Sequence, residues 1–311
     1  MRQDTARAPR RSISDAALAW RLMAPALALL AAVAIVPLAA TAWESLHRHD
    51  LRLPWLGQPF VGLANYVAAF ADERFLTSLR QTLAFVAVSV TLEIALGLAL
   101  ALTLDSLRRG RALARVVVLL PWALPTVVAA LVWRFMFDGE SGLVNALTAA
   151  VGLEGSRLDW FSHQYAAWVP IVLGDVWKTT PFVALLLLAG LQTIDAALHD
   201  AARLDGAGEF LIFRSIVFRL IAPAFVTVLL LSFVASWNNY FLPLIVLSTP
   251  EYYPLTVGLS SWYQLAGAGS GGQALFSIVL TGALVSIVPV IVVFLILQRF
   301  WQGGLAVGAV K

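Results

Sequence analysis

Leu79-Arg-Gln-Thr-Leu-Ala-Phe-Val-Ala-Val-Ser-Val-Thr-Leu-Glu93-Ile-Ala-Leu-Gly97-Leu-Ala-Leu-Ala-Leu-Thr-Leu104 carries one guanidinium and one carboxylate in a run that is otherwise apolar or neutral. A bilayer core about 30 Å thick is crossed by roughly 20 helical residues, so this stretch is long enough to span it. It is too long for a barrel strand and its apolar residues do not alternate. Helix is therefore the form that satisfies its backbone groups in lipid. Leu22–Trp43, Leu113–Phe137, Ala166–Gly190, Leu220–Leu247 and Ala274–Leu297 share this character. The expected fold is an all-α polytopic membrane protein with six transmembrane helices.

Composition points the same way. The 311 residues are 60% hydrophobic and only 13% charged, whereas soluble domains carry about 25% charged residues. Arginines precede the first apolar segment and Ala40-Thr41-Ala42 imitates a cleavage site. At about 20 residues that segment exceeds a secretory signal core of about 7–15, so a retained span is expected. With the N-terminus inside, fourteen lysines and arginines fall on cytoplasmic segments and five outside, with Arg134 and Lys178 inside spans. The positive-inside rule thus predicts both termini in the cytoplasm. The organisation expected is a cytoplasmic tail over 1–21, a six-helix membrane body over 22–297 and a second cytoplasmic tail over 298–311. The outer loop Glu44–Ser78 holds Trp55, Phe60 and Tyr66 and predicts a small interfacial cap. The glycine-rich run Gly267–Gly272 predicts a flexible outer loop.

The connection between the fourth and fifth spans is longer than a turn requires. It runs Asp195-Ala-Ala-Leu-His-Asp200-Ala-Ala-Arg203-Leu-Asp205-Gly206-Ala-Gly-Glu-Phe210-Leu-Ile-Phe213-Arg-Ser-Ile216. Helix-forming residues precede an Asp-Gly break, and Phe210, Phe213 and Ile216–Val217 then recur at helical spacing. This predicts a short surface helix interrupted at Gly206; an ordinary interfacial connector would read alike. Asp200-Ala201-Ala202-x-x-Asp205-Gly206-Ala207, followed by Phe213-x-x-Ile216 and Pro223, resembles the EAA loop of binding-protein-dependent ABC importer permeases. The resemblance implies that residues of about 195–219, Asp200, Ala201, Ala202, Asp205, Gly206, Ala207 and Phe213 among them, form a coupling helix for a cytoplasmic ATPase. Asp200 stands where the family has Glu, and Phe218-Arg219 where it has Leu-Pro, which puts the helix exit toward the fifth span in question. Phe60-Val-Gly62-Leu-x-Asn65-Tyr66, Leu120-Pro-Trp122-Ala-Leu-Pro125, Asp175-Val-Trp177-Lys178-Thr-Thr-Pro181-Phe182 and the Gly303–Lys311 tail are similar to the carbohydrate branch, with its maltose-type and glycerol-3-phosphate-type permeases.

Polar residues inside spans cost several kcal/mol when charged and therefore face the protein interior or a water-filled path. Asp175, Thr179 and Phe182 share one face of the fourth span, and Ser232, Ser236 and Asn239 repeat that spacing in the fifth. Hydroxyl-rich solutes need paired donors and acceptors beside an aromatic ring, so the two stripes are candidate sugar-binding surfaces. The family resemblance implies the same role. Helix packing uses Ser, Thr and Asn as well. Lys178 is expected to pair with Asp175 one turn away, and Pro181 to kink this span. Glu93 and Arg134 form a possible charge-neutralising pair, and Arg134 can equally snorkel to the interface.

Neither Lys178 nor Lys311 follows the glycines of a phosphate loop, so ATP hydrolysis is not expected in this chain. No catalytic motif or metal-binding spacing is present; His47 and His49 are read as solvated. With no cysteine there are no disulfides or thiolate sites, and a net charge of +3 is a poor fit to nucleic acid. The resemblance implies a non-enzymatic permease subunit of a bacterial inner membrane. It carries no cofactor of its own, since ATP and Mg belong to a partner ATPase dimer. A second permease subunit, expected from the resemblance as a heterodimer partner, an extracytoplasmic solute-binding protein, a sugar and membrane lipid complete the expected partners. Disaccharide, oligosaccharide, polyol and glycerol-3-phosphate all remain open as solute, and the scarcity of lumenal cations tilts toward a neutral sugar. A stand-alone secondary transporter or channel is the alternative; it requires inverted repeats that the sequence does not display.

Overall fold

The computed structural model describes residues 15–48, 55, 57–107, 109–152, 159–267 and 272–300. The tails to Ser14 and from Trp301, and residues 268–271 of the glycine-rich run, lie outside the described residues. Among those described, regular structure is helical, with one isolated bridge between His47 and Phe60.

The first span is α1 (Asp15–Leu30) joined through a π turn at Ala31–Ile35 to α2 (Val36–Ser45). Pro37 supplies no N–H to the preceding turn, and the helix widens there. Its second half, α2, packs on the last helix. At its end, Asn65 of α3 (Ala64–Ala71) donates Nδ2 to the carbonyls of Ser45 at 2.7 Å and His47 at 2.9 Å. Tyr66 shares a 2.8 Å hydrogen bond with Ser45 Oγ. The loop after the first span is thus capped by a short helix stitched to that span, with Trp55 and Phe60 left exposed.

Asp72 starts α4 (Glu73–Ser106) by accepting the N–H groups of Arg74 and Phe75, the usual service of an N-cap to orphan donors. The Arg74 guanidinium, 2.6 Å away, holds the Asp72 carboxyl below the ordinary carboxylate range. The buried stripe Phe85, Ser89, Glu93, Gly97, Ala101 and Leu104 turns toward α8 (Gln164–Leu191), its principal partner. A Cβ on Gly97 would fall on the Val183 side chain, so glycine permits this close approach.

The stretch expected as one third span is bent by 83° between α5 (Arg111–Ala123) and α6 (Thr126–Met136). The physical reason is Leu124-Pro125: the residue before proline is driven from helical to extended backbone, and proline offers no donor. Leu124 has ψ 138° and Pro125 ψ 134°. By contrast α8 continues as one helix through Pro170 and Pro181. Between them α7 (Leu143–Ala150) follows a turn in which Asp138 Oδ1 accepts from Ser141 N and Oγ, both at 2.8 Å.

Beyond α8 come α9 (Ala196–Leu204), α10 (Glu209–Ile212), a π turn at Phe213–Val217 and α11 (Phe218–Leu220). The fifth apolar segment is α12 (Ala222–Trp237), an unwound Asn238–Tyr240 and α13 (Phe241–Val246). A 3₁₀ turn at Pro250–Tyr252 leads into α14 (Leu255–Gly267), and α15 (Gly272–Leu297) is last. Among the described residues, five helices are long and apolar enough to cross a membrane, six if the bent α5–α6 pair is one span.

Two apolar clusters fill the bundle. One joins Phe85, Val90, Ile171, Trp237 and Leu255; the other joins Ala101, Leu104, Val183, Leu187, Ile212 and Ile221. On α4, α8 and α12 alike, buried polar residues lie between the two clusters: Glu93, Asp175, and Ser232 with Ser236. The seam is where a site can form.

Candidate functional site

At that seam three helices bring their polar residues together. Asp175 is buried; its Oδ1 accepts from Asn239 Nδ2 at 2.9 Å and its Oδ2 from Ser236 Oγ at 3.2 Å. Ser236 Oγ also lies 3.4 Å from Glu93 Oε1. The Glu93 side chain is fully buried, and its carboxyl faces that of Asp175 within hydrogen-bonding reach, with Ser232 beside it. Four of the six stripe residues, Asp175, Ser232, Ser236 and Asn239, therefore meet inside the bundle. Glu93 joins them from α4, a membership that the one-face spacing Ser89, Glu93, Gly97 foreshadows. The unwound Asn238–Tyr240 aims Asn239: its carbonyl accepts Thr256 Oγ1 at 2.8 Å while its amide reaches Asp175.

Thr179 and Phe182 are half-buried and sit apart from that cluster's hydrogen bonds. Phe182 stacks on Trp122, ring centroids 5.5 Å apart and planes 10° from parallel. Trp122 belongs to the end of α5, just before the break.

Two expected ion pairs are replaced. Lys178 Nζ donates to the carbonyls of Leu124 at 2.5 Å and Trp122 at 3.2 Å, not to the Asp175 carboxylate. The reason is tertiary: the break at Pro125 leaves carbonyls at a helix C-terminus, where a cation is favoured. Arg134 Nη1 likewise donates to Ile245 O at 2.6 Å instead of meeting Glu93.

The connection after α8 has well-defined stereochemistry. Asp195 caps α9 by accepting Ala197 N at 2.9 Å. At the other end Gly206 N donates to Arg203 O and Ala207 N to Ala202 O, both at 3.0 Å, with Gly206 at φ +82°. This is a Schellman motif, whose left-handed residue favours glycine. Arg203 bridges the turn to Glu209 at 2.8 Å. Ala202, Ile212, Val217 and Ile221 bury themselves against Leu104, Leu187 and Leu191 at the ends of α4 and α8. Asp200, Ala201, Asp205 and Gly206 are exposed, Ala207 and Phe213 half-buried. Leu204 and Phe210 stand outward, 89% and 76% exposed. The chain leaves through α11, with Arg219 exposed and a restart at Ala222–Pro223.

Residues 93–303 match the family of binding-protein-dependent transport system inner membrane components. The chain belongs to that family. The permease is 41% identical over 217 residues to the trehalose/maltose transport system permease protein MalF of Thermococcus litoralis, covering 70% of this chain and 72% of that one. It is 38% identical to the trehalose transport system permease protein SugA of Mycobacterium tuberculosis, covering 70% and 69%. With the sulfoquinovosyl glycerol transport system permease protein of Agrobacterium fabrum it shares 34% over 74% of each chain. In fold it is similar to a solved bacterial ABC transporter involved in import of the acidic polysaccharide alginate, with TM-score 0.72, 20% identity and 92% and 95% of the two chains covered. The permease is thus a multi-pass membrane subunit of an ABC importer. The matched region begins at Glu93, so it contains every residue of the buried polar cluster except Ser89.

Proposed function

We propose that this permease moves a sugar or sugar-like solute across the bacterial cytoplasmic membrane, driven by ATP hydrolysis in a separate ATPase dimer. The observation that carries the reading is the surface of the α9–α10 connection. A water-facing turn has no physical need for Leu204 and Phe210 to project outward beside a Schellman turn, whereas a partner cleft that buries them does. In this reading α9 is the coupling helix. Asp200, Ala201, Ala202, Asp205, Gly206, Ala207 and Phe213 shape it or fix it to the bundle, so a push on α9 reaches α4 and α8 through Ile212, Val217 and Ile221.

The rest of the assignment follows from that orientation. α9 lies on the cytoplasmic side, the bent α5–α6 pair is one of six spans, and both termini are cytoplasmic. A second permease, an extracytoplasmic binding protein and two ATPase subunits, which hold the ATP and Mg, complete the importer. The sugar class is supported by relatives whose names specify trehalose, maltose and sulfoquinovosyl glycerol. Solute passes Thr179 and the Trp122–Phe182 stack, whose ring faces suit sugar C–H groups. Asp175, Ser232, Ser236 and Asn239 form the polar backing of that path.

The test is co-expression with the neighbouring transport genes, purification by a tag on this chain, and reconstitution with labelled trehalose or maltose. An ATPase is expected to co-purify, and uptake should require ATP. Solute movement by this chain without any nucleotide-hydrolysing partner would overturn the proposal.

A further inference from the structure

The seam between the two apolar clusters buries two carboxyl groups side by side. Four carboxylate oxygens of Glu93 and Asp175 converge there. The Ser236 hydroxyl, which owns one proton, lies between Asp175 Oδ2 at 3.2 Å and Glu93 Oε1 at 3.4 Å and can serve only one of them. Asn239 serves Asp175 Oδ1. Glu93 Oε2 and Ser89 Oγ are buried without a hydrogen-bond partner, and both residues are fully inaccessible. Ser89 lies one turn before Glu93 on α4 and is directed at the Asp175 carboxyl.

Among the described residues, no cationic side chain enters this cluster. Lys178 spends its ammonium on Trp122 and Leu124, and Arg134 spends its guanidinium on Ile245. Unpaired carboxylates in a low-dielectric interior are costly enough that the site takes up positive charge, as a proton or as a cation. The available donors are all oxygen, which selects a hard cation. Calcium takes about 6–8 oxygens and magnesium demands octahedral geometry with several waters, more than these few side chains provide. One monovalent charge, together with the field that Lys178 exerts on Asp175 from one turn away, balances two carboxylates.

We propose that Ser89, Glu93, Asp175 and Ser236 bind a dehydrated monovalent cation of the sodium or potassium class, which ties α4, α8 and α12 together at the middle of the bundle. Such an ion engages the two partnerless atoms, Glu93 Oε2 and Ser89 Oγ, at once. The competing arrangement is one proton shared by Glu93 and Asp175 with the Ser89 hydroxyl turned to Asp175, and it carries no dependence on alkali ions. The proposal does not depend on which solute is carried.

The experiment is thermal unfolding of the purified, complete transporter, exchanged into choline chloride and titrated with NaCl or KCl at constant ionic strength. The wild type is expected to gain stability saturably with Na⁺ or K⁺ and not with choline. Ser89→Ala keeps both carboxylates and is the variant least harmful to folding. Loss of even an outer-shell partner of a metal ligand costs about 10–100-fold in affinity, so Ser89→Ala should shift the midpoint at least about tenfold to higher salt. Glu93→Gln should abolish the saturable response; bound ²²Na⁺ or ⁸⁶Rb⁺ on the wild-type complex is the independent readout should that variant not assemble. Equal stability in choline, sodium and potassium, or stabilisation by acidification alone with no bound ion, overturns the proposal in favour of a shared proton.

Discussion

Lys178 and Leu124, far apart in sequence and on different helices, are joined by a 2.5 Å hydrogen bond from Nζ to the backbone carbonyl. With the accompanying bond to Trp122 O, it closes the end of α5 where Pro125 forces the chain to turn by 83°. The bond also sets the position of Trp122, and through it the stack on Phe182. A backbone interruption in one span is thereby read out as an aromatic surface on another.

Lys178→Met keeps the length and apolar stem of the side chain but leaves both carbonyls unserved. Hydrogen bonds from charged donors contribute about 1.5–3 kcal/mol, so a loss near the lower end is expected at this partly exposed site. Urea or thermal unfolding of the purified complex measures it. Uptake should fall more than stability does, because the Trp122–Phe182 stack loses its anchor; unchanged uptake would remove the stack from the solute path.

Gly206 stands at φ +82° with open space around the position a Cβ would take. Its substitution is opposed by backbone strain alone, about 1–2 kcal/mol for a residue with a side chain in the left-handed region. Gly206→Ala is expected to leave membrane insertion and assembly of the bundle intact while lowering ATP-driven uptake. Gly206→Arg should abolish uptake by adding bulk to the same turn. Wild-type uptake by Gly206→Arg would speak against α9 as the coupling element.

Gly97 tests the opposite situation, crowding without strain. A Cβ there overlaps the side chain of Val183, itself fully buried. Gly97→Ala should destabilise the α4–α8 contact by about 1–3 kcal/mol, the usual cost of overpacking. Adding Val183→Ala should recover part of that loss. A double variant less stable than both single variants would show that the two positions do not share one space.

Asp72 supplies a pH dependence with a definite sign. Its carboxyl is held below its ordinary value of 3.8, chiefly by the hydrogen bond from Arg74. A group whose folded-state value is depressed contributes stability above its unfolded value and loses it as pH falls through the folded one. The cap is therefore expected to be intact at and above about pH 4 and to weaken below that. Asp72→Ala should cost about 1 kcal/mol at neutral pH, and the difference from wild type should shrink in acid. Thermal unfolding of both proteins across acidic pH gives the answer, and a constant difference would show that the charge of Asp72 is irrelevant.

Much of this architecture was legible one residue at a time. The apolar lengths around Leu79–Leu104 and its counterparts mark candidate membrane segments because lipid thickness is a constraint on local sequence alone. Gly206 announced its turn because only the local backbone decides a left-handed residue. The Leu124-Pro125 pair also carried its signal, but length and hydropathy alone treat Leu113–Phe137 as a straight span and pass over it.

What only the tertiary structure decided is which partner each polar side chain chose. Periodicity puts Asp175 and Lys178 one turn apart on a single helix, which makes an ion pair the natural expectation. The break in α5 offered Lys178 two bare carbonyls, and Glu93, Ser236 and Asn239 came to Asp175 from two other stretches of chain. A helix face is a local property, so sequence can state it. The facing element is fixed by the packing of the whole bundle, and in a low-dielectric interior that packing determines where every charge must find its match.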